Sequence, residues 1–508
     1  MAGLQRSLRF WGAAALGLGV MAPTLALSLN GSAPAALVGK AVPLVFILGG
    51  IGIAFIAYGF AVLTRRYNHA GSAYALVGAT LGPRAGFFSG FALLGYYILS
   101  TVCTVPASAL FTQAFLESIG VPHVPWLLLG VIAAVGAAWL TTRDTRMATR
   151  TLLVLEGIGV ALIAFLIVVV FAKLGGGTAP SNQSLDLNVF TLPAGTEFSA
   201  VAAATVFACL SWAGFESIAT LGEETANPRR NIPRALIGII ALSLPVFVIV
   251  MVAETNGFGT GDAGVAAFAK SSTPLGDLAE SYVGLWAARA LLFVAMAGAF
   301  ASLLASCTAA SRMLFAFSRD GFGPSVLSRL SRSGAPAVAA ISTLVVAVVI
   351  SSVMAFSGTT ATDSYFYYAT LGVLCLLVAY GMVGIAAAAH LVRRRVTSWL
   401  AAIPAALGTV FAGYVFYVQS TGQSSPYNLF PYFAGAWCIL GLVVVLLRPS
   451  LAVRIGAELA RAELDSAEAG RDAPAPDISG AADVPDVTQE STSPDRTRAR
   501  SDAQGTDD

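Results

Sequence analysis

Apolar runs of about 18 residues or more recur twelve times along this chain of 508 residues, each long enough to cross roughly 30 Å of hydrocarbon. They fall at 10–38, 41–64, 83–116, 124–141, 150–173, 198–221, 233–254, 282–315, 336–356, 364–390, 398–418 and 430–448. Charged residues make up only 11% of the chain, against roughly 25% in globular domains, and mean hydropathy is +0.77. These values exclude a soluble domain, and nothing in them points to a nucleic-acid partner. The expected fold is an all-α polytopic membrane protein of about twelve transmembrane helices, with the lipid bilayer as its solvent.

Basic residues alternate along the loops. Arg65 and Arg66 follow the second run, Arg143, Arg146 and Arg150 the fourth, and Arg229, Arg230 and Arg234 the sixth. Arg319, Arg329 and Arg332 follow the eighth run, Arg393, Arg394 and Arg395 the tenth, and Arg448 the twelfth. The intervening loops are almost bare of Lys and Arg. The positive-inside rule then puts both termini of a plasma-membrane protein in the cytoplasm. The first run, after Arg6 and Arg9, is too long for a signal-peptide core and reads as an uncleaved first helix. From about Glu458 onward the chain carries 13 acidic residues and five arginines, a formal −8, and too little apolar content to fold alone. A disordered cytoplasmic tail over 449–508 is expected, with room for a short helix over Ser450–Ala469.

Two runs carry helix-disrupting residues at matched places. The first holds Gly17, Gly19 and then Met21–Ala22–Pro23–Thr24; the sixth holds Ser211–Trp212–Ala213–Gly214–Phe215–Glu216–Ser217. Proline removes a backbone donor and crowds the preceding turn. Non-helical backbone at bilayer depth survives only where it is enclosed by protein or lines a cavity. Paired interruptions five runs apart point to an inverted repeat with a binding site midway across the membrane. The organisation that follows is a cytoplasmic amino terminus (1–9), a first five-helix repeat (10–173), an extracellular loop (174–197), a second repeat (198–395) and two appended helices (398–448).

The sixth run continues into Leu221–Gly222–Glu223–Glu224, Asn227–Pro228–Arg229 and Ile232–Pro233–Arg234–Ala235. Together with Gly214–Phe215–Glu216, this stretch resembles the sixth-helix signature of amino acid permeases of the amino acid–polyamine–organocation superfamily. His69–Ala70–Gly71–Ser72–Ala73–Tyr74 and Ser318–Arg319–Asp320–Gly321, with Gly323–Pro324, match the same family. The resemblance covers about residues 10–448 and implies the five-plus-five repeat with broken first and sixth helices. Many members carry a Gly-Ser-Gly type stretch at the first break, where this chain has Met21–Ala22–Pro23–Thr24.

An amino acid zwitterion must leave water with both charges covered. Half-helix amino ends suit its carboxylate, and freed carbonyls suit its ammonium. The expected substrate-binding residues are Ala22, Pro23, Thr24, Ser211, Trp212, Ala213, Gly214 and Phe215, with Trp212 turned towards the cavity. Glu216 has two compatible roles: capping the second half-helix, or taking up and releasing a proton. Glu156 can form an ion pair with the Arg150 cluster or serve in a proton relay. Glu223 and Glu224, beside Arg229, Arg230 and Arg234, are gating candidates or solvated pairs. Cys209 lines a cavity or simply packs, Glu254 is interfacial, and Arg289 snorkels to the outer surface. The five cysteines show no pairing by spacing. His69, His123 and His390 are not at metal-ligand spacing, and neither a metal nor a cofactor is expected.

The resulting expectation is a secondary active transporter, not an enzyme, moving an amino acid by alternating access with protons as the driving ion. Exchange, or transport of a polyamine or 4-aminobutyrate, is the neighbouring alternative. A membrane amino acid sensor signalling through the tail is the alternative of another class.

Overall fold

The computed structural model describes residues 17, 21–67, 72–141, 146–223, 225–319, 321–331, 335–394, 399–421 and 423–448. The acidic tail, His69 and Glu224 lie outside them. The first half of the chain forms α1 (Pro23–Leu29), α2 (Ser32–Val38), α3 (Val42–Thr64), α4 (Ser72–Leu81), α5 (Pro83–Ser118), α6 (Trp126–Thr141) and α7 (Arg146–Gly175). Then come α8 (Phe198–Trp212), a 3₁₀ segment (Phe215–Glu223), α9 (Pro228–Phe258), α10 (Asp262–Lys270) and α11 (Pro274–Tyr282). The last five are α12 (Leu285–Arg319), α13 (Ala337–Phe356), α14 (Ala361–Arg394), α15 (Ile403–Thr421) and α16 (Phe430–Leu447). Several begin with proline in the first turn, among them α1, α5 and α9, where its missing donor costs nothing.

The described residues contain ten helical stretches long and apolar enough to cross a membrane, where the runs number twelve. Two differences account for this. The first two runs join into one stretch, Pro23–Thr64, and residues 10–16 and 18–20 of the first run lie outside the described residues. The fourth run is α6, whose 16 residues rise only about 24 Å at 1.5 Å each. The all-α polytopic architecture is otherwise the one expected.

Burial separates inner from outer helices. In α5 and in Phe198–Leu221, 78% of the most apolar window is buried, against 33% in α13 and 28% in Trp399–Thr421. α5 packs against α4, α6, α12, α13, α14 and α16 and so forms the centre of the bundle. The outer helices turn large apolar side chains outward, such as Val345, Val410 and Leu447, as lipid-facing surfaces require.

Small residues set the closest approaches. A Cβ on Gly86 of α5 would strike backbone atoms of Tyr74 and Gly78 in α4, and one on Gly408 of α15 would strike the backbone of Phe55 and Ile56 in α3. Lipid tails are as apolar as leucine, so such contacts, rather than water exclusion, hold spanning helices together. The loop between α7 and α8 is fastened separately. Lys40 pairs with Asp186 at 3.1 Å, and the Asp186 amide donates to Asn256 Oδ1. The Asn188 amide, and then Lys40, hold the Asp186 carboxyl below the usual carboxylate range.

Backbone atoms cannot rotate away as a side-chain tip can. Gly86→Ala should therefore lower stability by about 1–3 kcal/mol. Thermal unfolding in detergent measures this, and an unchanged melting temperature would refute the close approach.

Candidate functional site

Both interruptions are present. At the first, Ala22 takes left-handed dihedrals (φ 45, ψ 64) immediately before Pro23 opens α1. This conformation costs a residue with a Cβ roughly 1–2 kcal/mol. At the second, α8 stops at Trp212, Ala213 is extended (ψ 133) and Gly214 has φ 103, a value that glycine adopts readily. The chain then winds again as the 3₁₀ segment. The two broken helices touch: Asn30, at the end of α1, donates through Nδ2 to Ser211 Oγ of α8 at 2.9 Å.

Each break leaves backbone N–H groups that hydrocarbon cannot bond, and each is met by a buried carboxylate. Glu156 of α7 accepts from the Thr24 amide at 2.8 Å and from the Thr24 hydroxyl at 2.6 Å. Glu216 accepts from the Gly214 amide at 3.0 Å, from Tyr97 Oη at 3.1 Å and from Tyr380 Oη at 2.7 Å. The backbone carbonyl of Glu216 accepts from Ser72 Oγ, so the stretch after the second run is tied to the second break. Tyr74 of that stretch packs its ring on Phe317, beside the Ser318–Arg319 stretch.

A cavity of about 40 Å³ lies beside the two breaks. A water needs roughly 10–15 Å³ on this measure, so the space suits a few waters rather than a whole amino acid. Met21, Leu25, Ala26 and Asn30 line it from the first break; Leu210 and Ala213 line it from the second. α5 adds Tyr96, Tyr97, Ser100, Cys103 and Thr104; α12 adds Ser302, Ser306 and Ala309; α14 adds Tyr365. Tyr365 Oη donates to Asn30 Oδ1 at 2.9 Å, so one asparagine joins α1, α8 and α14 at the cavity wall. None of these lining residues is Asp, Glu, Lys, Arg or His.

The structure therefore regroups the residues singled out in the sequence. Ala213 lines the cavity, and Ser211 reaches it through Asn30. Trp212 does not face the cavity, contrary to expectation. It is fully buried, packs on Phe46 and Phe247, and donates its indole N–H to Ser243 at 2.8 Å. Phe215 is likewise in the core, against Phe60 and Tyr380. Both are turned inward because the chain leaves the helix between them, which rotates side chains away from the face that a continuous helix would present. Ala22 and Pro23 shape the break without lining the cavity, and Gly214 supplies the amide that Glu216 takes. The Thr24 amide, expected to be free for a carboxylate, is occupied by Glu156.

Glu156 is engaged with Thr24, and the Arg150 side chain lies outside the described residues. Of the gating candidates, Glu224 and the Glu223 side chain lie outside the described residues, and Arg229, Arg230 and Arg234 are exposed. Cys209 is buried away from the cavity, and Cys103 lines it instead. Arg289 donates to the Ser118 carbonyl at the end of α5 at 2.8 Å. Glu254, expected at the interface, is wholly buried.

Asn30, Tyr96, Tyr97, Tyr365, Ser302 and Ser306 escaped the sequence reading. Ser100 and Thr104, like Ser302 and Ser306, repeat at a spacing of four and share a helix face. A small polar stripe on an otherwise apolar run was the available signal.

A double-mutant cycle of Glu156→Ala and Thr24→Val should show a coupling of about 1–3 kcal/mol in thermal unfolding, because either change strands buried partners. Additive effects would refute the cap. Trp212→Phe should lower the melting temperature while leaving substrate KM unchanged, and a raised KM would return that ring to the cavity.

The comparisons with known proteins agree with this architecture. Residues 8–445 match the family model described as amino acid permease. The chain is 26% identical over 382 residues to a branched-chain amino acid permease of Lactococcus lactis, covering 71% of this chain and 80% of that protein. It is 26% identical to a methylthioribose transporter of Bacillus subtilis over 344 residues, covering 65% and 71%. A low-affinity putrescine importer of Escherichia coli is 29% identical over 202 residues, covering 38% and 42%. With a match across nearly its whole length, the chain belongs to the amino acid permease family and is a multi-pass membrane transporter rather than an enzyme.

Proposed function

We propose that this protein takes up an amino acid with an uncharged side chain across the plasma membrane by alternating access, driven by protons. The observation that carries this reading is the cavity beside the two broken helices, lined by hydroxyls, an asparagine and apolar side chains but by no Asp, Glu, Lys, Arg or His. A zwitterion presents one charge of each sign, which freed carbonyls, hydroxyls and helix ends can satisfy. A diamine brings two positive charges into low dielectric and calls for carboxylates in the wall. Similarity to a putrescine importer therefore weighs less here than similarity to a branched-chain amino acid permease.

The remaining parts of the reading have separate supports. The alternation of arginines favours cytoplasmic termini. The left-handed Ala22 and the φ of Gly214 favour two related five-helix repeats rocking about a shared centre. A cavity smaller than the solute fits a site that widens when either side opens. Protons are the favoured driving ion because three carboxylates, Glu156, Glu216 and Glu254, are buried within the spans.

Reconstitution into proteoliposomes tests the reading. Neutral amino acids should accumulate under an inside-alkaline gradient, and a protonophore should collapse that accumulation. Putrescine should compete poorly; competition equal to that of a neutral amino acid would sink the substrate class. Asn30→Ala, which removes the link between α1, α8 and α14, should raise KM roughly tenfold, about 1.4 kcal/mol. An unchanged KM would remove the cavity from the transport path.

A further inference from the structure

Glu156, Glu216 and Glu254 are the buried carboxylates among the described residues, and their surroundings differ in kind. Glu156 accepts two hydrogen bonds, both from Thr24, and Glu216 accepts three, from the Gly214 amide and the Tyr97 and Tyr380 hydroxyls. Glu254 is fully buried, one turn before α9 ends at Phe258, and neither of its carboxylate oxygens has a hydrogen-bond partner among the described residues.

Its position is specific. Gly31, which sits between α1 and α2, has no side chain, and the vacated space is closed by Glu254 Oε2, the Phe268 ring of α10 and Met251 Sδ. The carboxyl group thus abuts the bend of the first helix. Its neighbour Asn30 is the residue that lines the cavity and bonds Ser211 and Tyr365.

Described titratable groups on the elements around it are exposed or engaged elsewhere. α1 and α2 carry none. On α10, Asp262 and Lys270 are exposed, as is Glu280 on α11. Asp277 is taken by Ser271 and Thr273, and the Tyr282 hydroxyl by the Gly257 carbonyl. On α7, Lys173 donates to the Tyr282 carbonyl and Glu156 holds Thr24. Asp186 pairs with Lys40 in the loop, and Tyr58 of α3 donates to the Ala401 carbonyl. Arg229, Arg230 and Arg234 sit at the opposite end of α9.

We infer that Glu254 is the group that carries the coupling proton, an inference resting on the proton-driven reading above. An ionised carboxylate between Gly31, Phe268 and Met251 would be a buried charge with neither counter-ion nor donor, so the closed packing requires the neutral acid. Loading forms an O–H bond to a proton taken from water at the outer side, which lies one helical turn away. Release breaks that bond and passes the proton to water reaching Asn30 when the cavity opens inward. The anion left behind cannot remain against Gly31, and the bend of the first helix must move with it. Glu156 and Glu216 hold the breaks, while Glu254 takes up its proton from one side and gives it up to the other.

The test compares two transport modes of purified protein in proteoliposomes. One pH unit across the membrane supports at most about a tenfold accumulation per proton. Glu254→Gln, a permanent mimic of the neutral acid, should lose that accumulation and keep substrate counterflow, which needs no proton to dissociate. Glu280→Gln, at an exposed site on α11, should keep both. Wild-type accumulation in Glu254→Gln overturns the inference, as does loss of counterflow together with accumulation. Accumulation that persists with only its pH dependence flattened also overturns it, because Glu254 is then a sensor rather than a carrier. If Glu254→Gln does not survive purification, Glu254→Asp replaces it. That variant should retain accumulation with a displaced pH profile, and an unshifted profile overturns the inference. A wild type that performs counterflow but never accumulates under a pH gradient defeats the proton-driven reading itself, a result separable from any behaviour of the variants.

Discussion

Hydrocarbon offers a freed backbone amide nothing to bond, and this is the constraint on which the centre of the molecule rests. A helix interrupted at Ala22 and another interrupted at Gly214 would each strand donors there. The fold answers with one carboxylate per break: Glu156 reaches across from α7 to Thr24, and Glu216 folds back onto Gly214. A carboxyl group at the amino end of each winding segment also suits the positive end of its dipole. Buried acids that would be liabilities elsewhere are the reason the two interruptions persist.

The caps also shape what the cavity presents. With the Thr24 and Gly214 amides taken, the wall consists of hydroxyls, an asparagine, a thiol and apolar side chains. Tyr97 belongs to both systems, lining the space and donating to Glu216. Asn30 belongs to both in another sense, since it reaches the wall and bridges α1, α8 and α14. Under the proposed alternating access, occupation of the cavity is thereby connected to helices of both halves of the chain. Glu254, on the far side of the same bend, is the carboxylate not committed to holding anything in place.

Much of this architecture was legible in the chain itself. Run length and the shortage of charge determined an all-α polytopic fold, because a span must be long, apolar and self-bonded. Glycine and proline at 17–24 and 211–217 located the interruptions, since those residues alter the backbone wherever they occur. That the buried acids at 156 and 216 need partners was legible for the same kind of reason: a carboxylate at that depth must be compensated.

What each acid touches was decided only when the chain folded. No local pattern could tell that Glu156 meets Thr24 across 132 residues, or that Trp212 turns to Ser243 and away from the cavity. The direction of a side chain at a break depends on how the chain leaves the helix, and sequence periodicity ends where the helix does. Glu254 shows the same division. Its position near a helix end suggested an interface, but packing by Gly31 and Phe268 closed it off from water. The sequence by itself determined where helices span and where they break, through length, polarity and backbone chemistry. The tertiary structure alone decided which groups face one another across those breaks, because that depends on helices brought together from distant parts of the chain.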